Sequence, residues 1–451
     1  MASTYLTRTN GTSTLQTKFT LSVWLKRSNL SEVNILGAGS GNDKCIIFFK
    51  SDGVFEFYQN ASGSTNIQLR TNRKFRDTSA WYHLVVAYDS TETTSSDRLK
   101  LYVNGVQETS FSVNTYPSSS LIPLVNKNSQ SINVGFENGT SFYFDGLMSH
   151  VHFIDGTAYN ASAFGQADAN GVWTINTSPS VTYGTNGFFI LKNGNSVTDQ
   201  SGNGNNFTVA GGTLTKTEDN PSNVFATMNP LIATNGQTFS NGNNTVAITG
   251  GASAGGYSTL GMSSGKYYFE VKQTAYSTAN RLVIGITSNP AEDDRQNRYL
   301  GQDARSYSYG AENGNKTNNG TGSSYGNSFT TNDIIGVALD LDNNKLYFSK
   351  NGVWQNSGDP TSGASGTGAA FTVTPASSTD TGFYFFSFGD ESATHSATAT
   401  ANFGNGYFGT TAVSSAGTNA SGIGIFEYDV PTGYTASVSY THLTLPTKRI
   451  V

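Results

Sequence analysis

Hydrophobic and polar positions alternate with a period of two along much of the chain. The clearest case is residues 332–354, NDIIGVALDLDNNKLYFSKNGVW. Ile335, Val337, Leu339 and Leu341 fall on one side of such a strand, and Ile334, Gly336, Ala338 and Asp340 on the other. That is the pattern of a strand with one face in a core. Asn343-Asn344 then offers two residues that tolerate positive φ, as a tight hairpin turn requires. Leu346 and Phe348 resume the alternation, and Asn351-Gly352 supplies a second turn before Val353 and Trp354. The stretch predicts a β-meander, a scaffold that holds loops and carries no catalytic group.

The same rule predicts strands elsewhere. Residues 19–25 (FTLSVWL) alternate, and residues 45–50 and 54–58 form a hairpin around Ser51-Asp52-Gly53. Residues 81–88 are apolar on both faces, as in a central strand covered on both sides. Residues 98–103 place Leu99, Leu101 and Val103 inward before Asn104-Gly105 turns the chain back. Residues 131–136 and 142–154 add further strands, and turns at this spacing predict a sandwich. In the second half, Tyr267, Phe269 and Val271 share a face, and Leu282, Ile284 and Ile286 mark the next strand. Between the halves, residues 164–230 carry isolated apolar patches in polar sequence and predict an ordered connector packed on its neighbours. No segment sustains a 3.6-residue period with caps, so the fold class is all-β.

Composition sharpens this. Charged residues make up 13% of the chain, aromatics 12%, and there are 50 glycines, which suits short strands joined by many turns. A net charge of -5 gives no basic footprint for nucleic acid. No run approaches 18 apolar residues, so no membrane insertion is expected. The start, MASTYLTRTNG, lacks an apolar segment, so no secretory signal is expected. Cys45 is the only cysteine, which excludes an internal disulfide, and its neighbours Ile46 to Phe49 predict that it is buried.

Candidate chemistry is sparse. Glycosidases of one sandwich type place carboxylates at E-x-D-x-x-E; the nearest match, Glu292, Asp294 and Asn297, lacks the second Glu. His150 and His152 would share a strand face, but no third metal ligand has a diagnostic spacing. Asp43, Asp89, Asp97 and Asp145 are acids of loops and strand ends that could hold Ca²⁺, and the sequence does not choose among them. Residues 199–206 (DQSGNGNN) lack the twelfth-position Glu of a calcium loop and are better explained by turn chemistry. There is no G-x-S-x-G, and the glycine pairs lack the Lys of a phosphate loop.

Two family resemblances give these strands a frame. Trp81 to Asp89 (WYHLVVAYD), followed by Leu101-Tyr102-Val103-Asn104-Gly105, resembles the laminin-G/concanavalin A-like lectin fold. Phe144-Asp145-Gly146-Leu147 with Val151-His152-Phe153-Ile154 resembles its closing strand. The series Gly265 to Glu270, Ser308-Tyr309-Gly310, Tyr325-Gly326, Phe329, Asp333 to Gly336, Leu339-Asp340, Phe348 to Gly352 and Asn402-Phe403-Gly404 resembles the SPRY domain. The resemblance implies two antiparallel β-sandwich, jelly-roll-like domains in series: residues 1–165 concanavalin A-like, 166–235 an ordered connector, 236–410 SPRY-like, and 411–436 an extension. Residues 437–451 resemble translated sequencing-adapter DNA and are expected to form a disordered, non-native tail.

The order of lectin-like domain, SGNGN and NPL connector, SPRY domain and the piece SGIGIFEYDVPTGY resembles structural proteins of tailed phages. That implies a non-enzymatic recognition protein on the outer surface of a phage virion or tail fibre, made in the host cytoplasm. Its ligand would be a cell-surface glycan or a protein, and its other partners virion proteins, with an oligomer as one arrangement. No cofactor is required on this reading. The alternatives are a purely structural decoration protein, a glycan depolymerase, and a bacterial surface adhesin. In the SPRY family, loops at one edge form a shallow peptide-recognition surface. By that resemblance residues 303–325 (DARSYSYGAENGNKTNNGTGSSY) supply the ligand candidates: Tyr309 first, with Tyr307, Arg305, Asp303, Asn313 and Tyr325. Tyr309 could equally pack beneath the loop with a buried ring and a wet hydroxyl. Residues 58–70 (YQNASGSTNIQLR) are a second candidate loop, in the first domain.

Overall fold

The computed structural model describes residues 3–440 except 138, 140, 141, 233–235, 250–254, 291–298 and 393. The described residues divide into two compact units, one of residues 3–216 with 220–222, the other of residues 217–219 with 223–439. Among the described residues there is no α-helix, and no helix is long and apolar enough to cross a membrane. Among the described residues the main-sheet pairings are antiparallel but one.

The first unit is a sandwich of an eight-stranded and a six-stranded sheet. The larger runs in the order Phe111–Thr115, Ser64–Lys74, Val54–Ala61, Asp43–Phe49, Val33–Ser40, Ser131–Val134, Tyr5–Thr9, Thr208–Ala210. The smaller runs Phe188–Ile190, Gly146–Asp155, Lys18–Arg27, Tyr82–Asp89, Leu99–Val103, Val106–Glu108. Period two does the sorting: Phe19, Leu21, Val23 and Leu25 of one strand face the shared core with Leu36, Ile47, Phe57 and Leu69. Phe19 stacks at 5.1 Å on Tyr88 and at 5.3 Å on Phe153. Cys45 is buried in that core. The central strand is covered on both sides, as its two apolar faces imply: Val85 and Ile154 lie beneath Ala161 and Phe164 on the outer face of the smaller sheet.

Much of the segment expected as a connector is woven into this unit. Phe188–Ile190 adds an edge to the smaller sheet beside Val151 to Phe153, and Thr208–Ala210 an edge to the larger one beside Tyr5 to Thr7. The turn between them is fixed by Asp199, whose carboxylate accepts from the amides of Phe189, Ser201 and Asn205 at 2.9 Å each.

The second unit pairs a nine-stranded with a six-stranded sheet. The path of the larger is Gln237–Ser240, Thr245–Ile248, Ala397–Asn402, Lys266–Tyr276, Ile334–Asp340, Lys345–Lys350, Val353–Trp354. The smaller runs Gly255–Tyr257, Phe385–Asp390, Leu282–Thr287, Ser306–Gly310, Asn315–Asn318, Thr321–Ser324. The meander read from residues 332–354 is the heart of the larger sheet, and Asn344 and Asn351 take φ of 56° and 49° at its turns. The outer face of this sheet is covered by the extension, through Phe426, Val430 and Tyr434. Thr435–Ala436 pairs in parallel with Tyr267 and Tyr268. The expected boundary at Ala436 therefore moves: Ser437 is buried, its carbonyl accepts from the Ala226 amide at 2.9 Å, and strand continues over Val438–Tyr440. These residues have a packing partner, which a disordered tail would lack.

Candidate ligand-binding faces

The six candidates in residues 303–325 do not form one exposed loop. Three short strands, Ser306–Gly310, Asn315–Asn318 and Thr321–Ser324, occupy most of the stretch. Tyr309 is fully buried, packed on Phe329 and Phe348 at 5.3 Å each, and its hydroxyl donates to the Asn327 carbonyl. Tyr307 is buried as well; its hydroxyl accepts from the Thr374 amide at 3.1 Å. Tyr325 lies edge-on to Tyr309 at 5.8 Å. Burial pushes the hydroxyls of Tyr309 and Tyr325 well up, that of Tyr325 to about 12. None of the three rings offers a face to a ligand: Tyr307 and Tyr309 project into the sandwich beside Ile284 and Ile286, and Tyr325 closes over them. Asp303 caps its own turn, accepting from the Arg305 amide at 2.9 Å, and Asn313 does the same for Asn315 at 3.0 Å. Arg305 extends its charged group to solvent, paired with Asp380 at 2.9 Å, and Phe383 is exposed.

The second candidate stretch, residues 58–70, does lead to a face. On the outer side of the larger sheet of the first unit, Phe48, Glu56 and Arg70 lie in register across three strands. Ile46, Tyr58 and Gln68 form the next row. Glu56 is buried, and both its oxygens are taken, one by Gln68 Nε2 at 2.8 Å and one by Arg70 Nε at 2.7 Å. The bond to Glu56 raises the Arg70 pKa further. Arg70 and Tyr58 reach solvent, so a fixed fork of guanidinium N–H groups and a carboxamide stand beside a phenol ring. Such a set can donate to hydroxyl or carboxylate oxygens while the ring takes an apolar C–H face.

The histidines are placed for packing. His150 and His152 do share the outer face of the smaller sheet, brought there by a bulge in which His150 takes φ of 49°. Their rings are 6.4 Å apart, and His152 Nδ1 bonds the Tyr183 hydroxyl at 2.8 Å. His83 sits between Trp24 and Trp173, stacked at 4.7 Å and 6.0 Å. Among the described residues no three His, Cys, Asp or Glu converge as a metal site. Each of the four loop aspartates is already engaged: Asp43 by the Ser62 amide, Asp89 by Lys18, Asp97 by Lys100, Asp145 by Asn29. Glu292, Asp294 and Asn297 lie outside the described residues.

One acid escaped the sequence reading. Glu270 is fully buried, and burial pushes its carboxyl up to about 7 even though backbone amides, a phenol and an amide group donate to it. It alternates with Phe269 and Val271, on the face opposite the core, and the later segment that covers this face accounts for its burial.

Residues 1–163 match the family model of the concanavalin A-like lectin/glucanases superfamily, and residues 266–394 match the SPRY domain. The two domains thus stand in series, as the motifs implied. The Ran-binding proteins 9/10 homolog of Drosophila melanogaster is 40% identical over 92 residues, which is 20% of this chain and 9% of that protein. Ran-binding protein 9 of Homo sapiens is 39% identical over 89 residues, 20% of this chain and 12% of that protein. The chain therefore spans about a tenth of the length of these relatives. Among solved structures, the SPRY domain of human HERC1 shows 19% identity and a TM-score of 0.25, covering 37% of this chain and 89% of that one. A heptameric SAP-like pentraxin from Limulus polyphemus shows 15% identity and a TM-score of 0.27, covering 35% of this chain and 72% of that one.

Proposed function

We propose that this chain is a non-enzymatic recognition protein of the outer surface of a tailed-phage virion or tail fibre. It binds cell-surface glycan through the outer face of the larger sheet of its first unit, and it requires no cofactor. The observation that carries the reading is the Gln68–Glu56–Arg70 set, rigid, buried at its carboxylate and open at its guanidinium, beside Tyr58. Glu56 has no free oxygen, so it is poorly suited to proton transfer, whereas glycoside hydrolysis needs two working carboxylates. Display of many copies on a particle would let weak sites act by avidity.

A second reading, protein recognition by the second unit, is favoured by the identity with proteins named for binding Ran. On that reading the Arg305–Asp380 pair and Phe383 would meet the partner.

The test is a broad glycan array probed with the full chain, with calcium and with chelator, and read for retention and for cleavage. Retention is expected, indifferent to chelator, and reduced at least about tenfold by Arg70→Ala or Tyr58→Ala, the loss of one charged hydrogen bond or one ring contact. Cleaved glycan would refute the non-enzymatic reading. Retention untouched by either substitution would refute this face.

A further inference from the structure

The outer face of the larger sheet of the second unit has the chemistry of a docking groove, and its occupant belongs to the same chain. Three adjacent strands place Tyr268, Ala338 and Tyr347 in one row, because Tyr268 pairs with Ala338 and Ala338 with Tyr347. The small residue between two phenol rings leaves a slot. Phe426 enters it, edge-on to Tyr268 at 5.1 Å, and Trp354 closes one side at 6.4 Å from Tyr268 and 6.5 Å from Tyr347. In the next row Gly336 separates Glu270 from Ser349. A Cβ at Gly336 would stand 2.6 Å from the Tyr268 hydroxyl and 2.5 Å from Ser349 Oγ, so only glycine lets the phenol lie across the strand.

Glu270 is the polar anchor of the groove. Its Oε2 accepts from the Glu427 amide at 2.9 Å, and its Oε1 from the Tyr428 amide at 2.9 Å and the Tyr268 hydroxyl at 3.1 Å. Asn402 Nδ2 reaches the Ile425 carbonyl at 2.9 Å. Val430 and Tyr434 continue the contact, and the Tyr434 hydroxyl donates to the Pro360 carbonyl at 3.0 Å. The covering segment is folded on itself, with the Gly417 amide on the Phe426 carbonyl at 2.9 Å and the Val430 amide on the Thr418 carbonyl at 2.8 Å. It joins the rest of the unit through a short hairpin, Thr411–Ala412 on Tyr407–Phe408, with the Val413 amide on the Gly406 carbonyl at 3.0 Å. None of residues 409–416 is buried, and eight extended residues reach about 27 Å.

We propose that residues 417–440 are an exchangeable clasp, and that the groove accepts the same clasp from a second copy of this chain. Every contact between clasp and groove named above would be kept in such a dimer; the exposed stretch 409–416 would change course, from turning back to crossing between copies, and would give up its short pairing with Tyr407–Phe408 and the Val413 bond to the Gly406 carbonyl. The clasp and groove are already complementary in shape and hydrogen bonding, so the exchange requires no new surface.

The test uses the full chain with a protease site inserted between Ser415 and Ala416. The protein is concentrated, passed through mild denaturant and back, and sized by light scattering before and after cleavage. A dimer is expected, and complete cleavage should convert it to particles of monomer mass, since the cut removes the covalent crossover. A dimer that survives complete cleavage overturns the proposal, as does a protein that stays monomeric throughout. The unaltered protein supplies a second reading should the insertion impair folding. In its monomer the Glu427 and Tyr428 amides should exchange hydrogen at least about tenfold faster than those of Val271 and Val337, as a separately opening segment does. Equal protection would mean that the clasp opens only with the whole unit, and would overturn the proposal.

Discussion

Acidification from about pH 7.5 to about pH 5 sets three buried histidines of the first unit against their surroundings. Trp173 Nε1 can only donate, so His83 Nδ1, 2.9 Å away, must be bare, and Nε2–H then faces Ser22 Oγ at 2.9 Å. A second proton on this ring would meet the indole N–H head-on. Burial pushes His83 down to about 3 and His150 down to about 4, and His152 falls well below the usual value through burial and the charges of His150 and His83. All three are depressed in the folded state, so the unfolded chain binds the protons more tightly. Their contribution is complete above the ordinary histidine value of about 6.5 and is lost as pH falls towards the folded values. Near pH 5 His83 and His150 each cost about 2 kcal/mol relative to pH 7.5, together about 4 kcal/mol, which approaches the whole stability of a marginal domain, and His152 acts in the same direction. Three of the four tryptophans, Trp24, Trp81 and Trp173, lie in this unit, so near-ultraviolet circular dichroism follows it. Urea melts between these pH values should give a slope of at least about two protons per molecule near pH 5. A slope below about one proton would refute the assignment of these histidines as buried and neutral; Asp145, whose carboxyl burial raises, acts with the opposite sign.

Two further outcomes follow from the second unit. Tyr309→Phe should cost about 1 kcal/mol through the lost bond to the Asn327 carbonyl, and Tyr309→Ala about 3–5 kcal/mol through the cavity, both read by urea melts; loss of ligand retention in Tyr309→Phe at unchanged stability would return this residue to the binding surface. The Glu270 carboxyl is raised in the folded state to about 7, so its term is present below the ordinary carboxyl value and is lost as pH rises through about 7. Melts followed by Trp354 should therefore show about 2 kcal/mol less stability near pH 8 than near pH 5.5, a difference that Glu270→Ala abolishes.

Alternation alone carried most of the fold. Residues 332–354 fold as their pattern requires because every second side chain has a core to enter, and Asn-rich turns take the positive φ that the hairpins demand. The same rule, applied to residues 306–310, puts Tyr307 and Tyr309 on one face, and the register sets that face against Ile284 and Ile286. Here composition misled. The surrounding Asn, Ser and Gly suggested a loop, but they belong to the outermost strands of a sheet, where one side and one edge meet water and polar residues cost little. Glu270 failed for the opposite reason. Its strand reads as half-exposed, and nothing within some 150 residues of it announces the segment that buries it.

The Glu56 face shows how far a closer reading could have gone. Ser62 and Gly63 take φ of 53° and 75°, so the hairpin closes through a two-residue turn, with Ala61 opposite Ser64. Carried straight down both strands, that register sets Glu56 against Leu69, an acid and a core residue on the same face. The apolar pattern demands the other register, Phe57 against Leu69, and the two can be reconciled only by one extra residue in the returning strand. The chain supplies it between Asn60 and Gln59, where the pairing slips from Thr65 to Ile67. The slip brings Arg70 opposite Glu56 and Gln68 beside it. Turn and pattern were both visible in the sequence, and their conflict was itself the signal for a bulge. What no pattern supplies is the closing of Arg70 Nε on the carboxylate, which depends on side-chain geometry that the bulge creates.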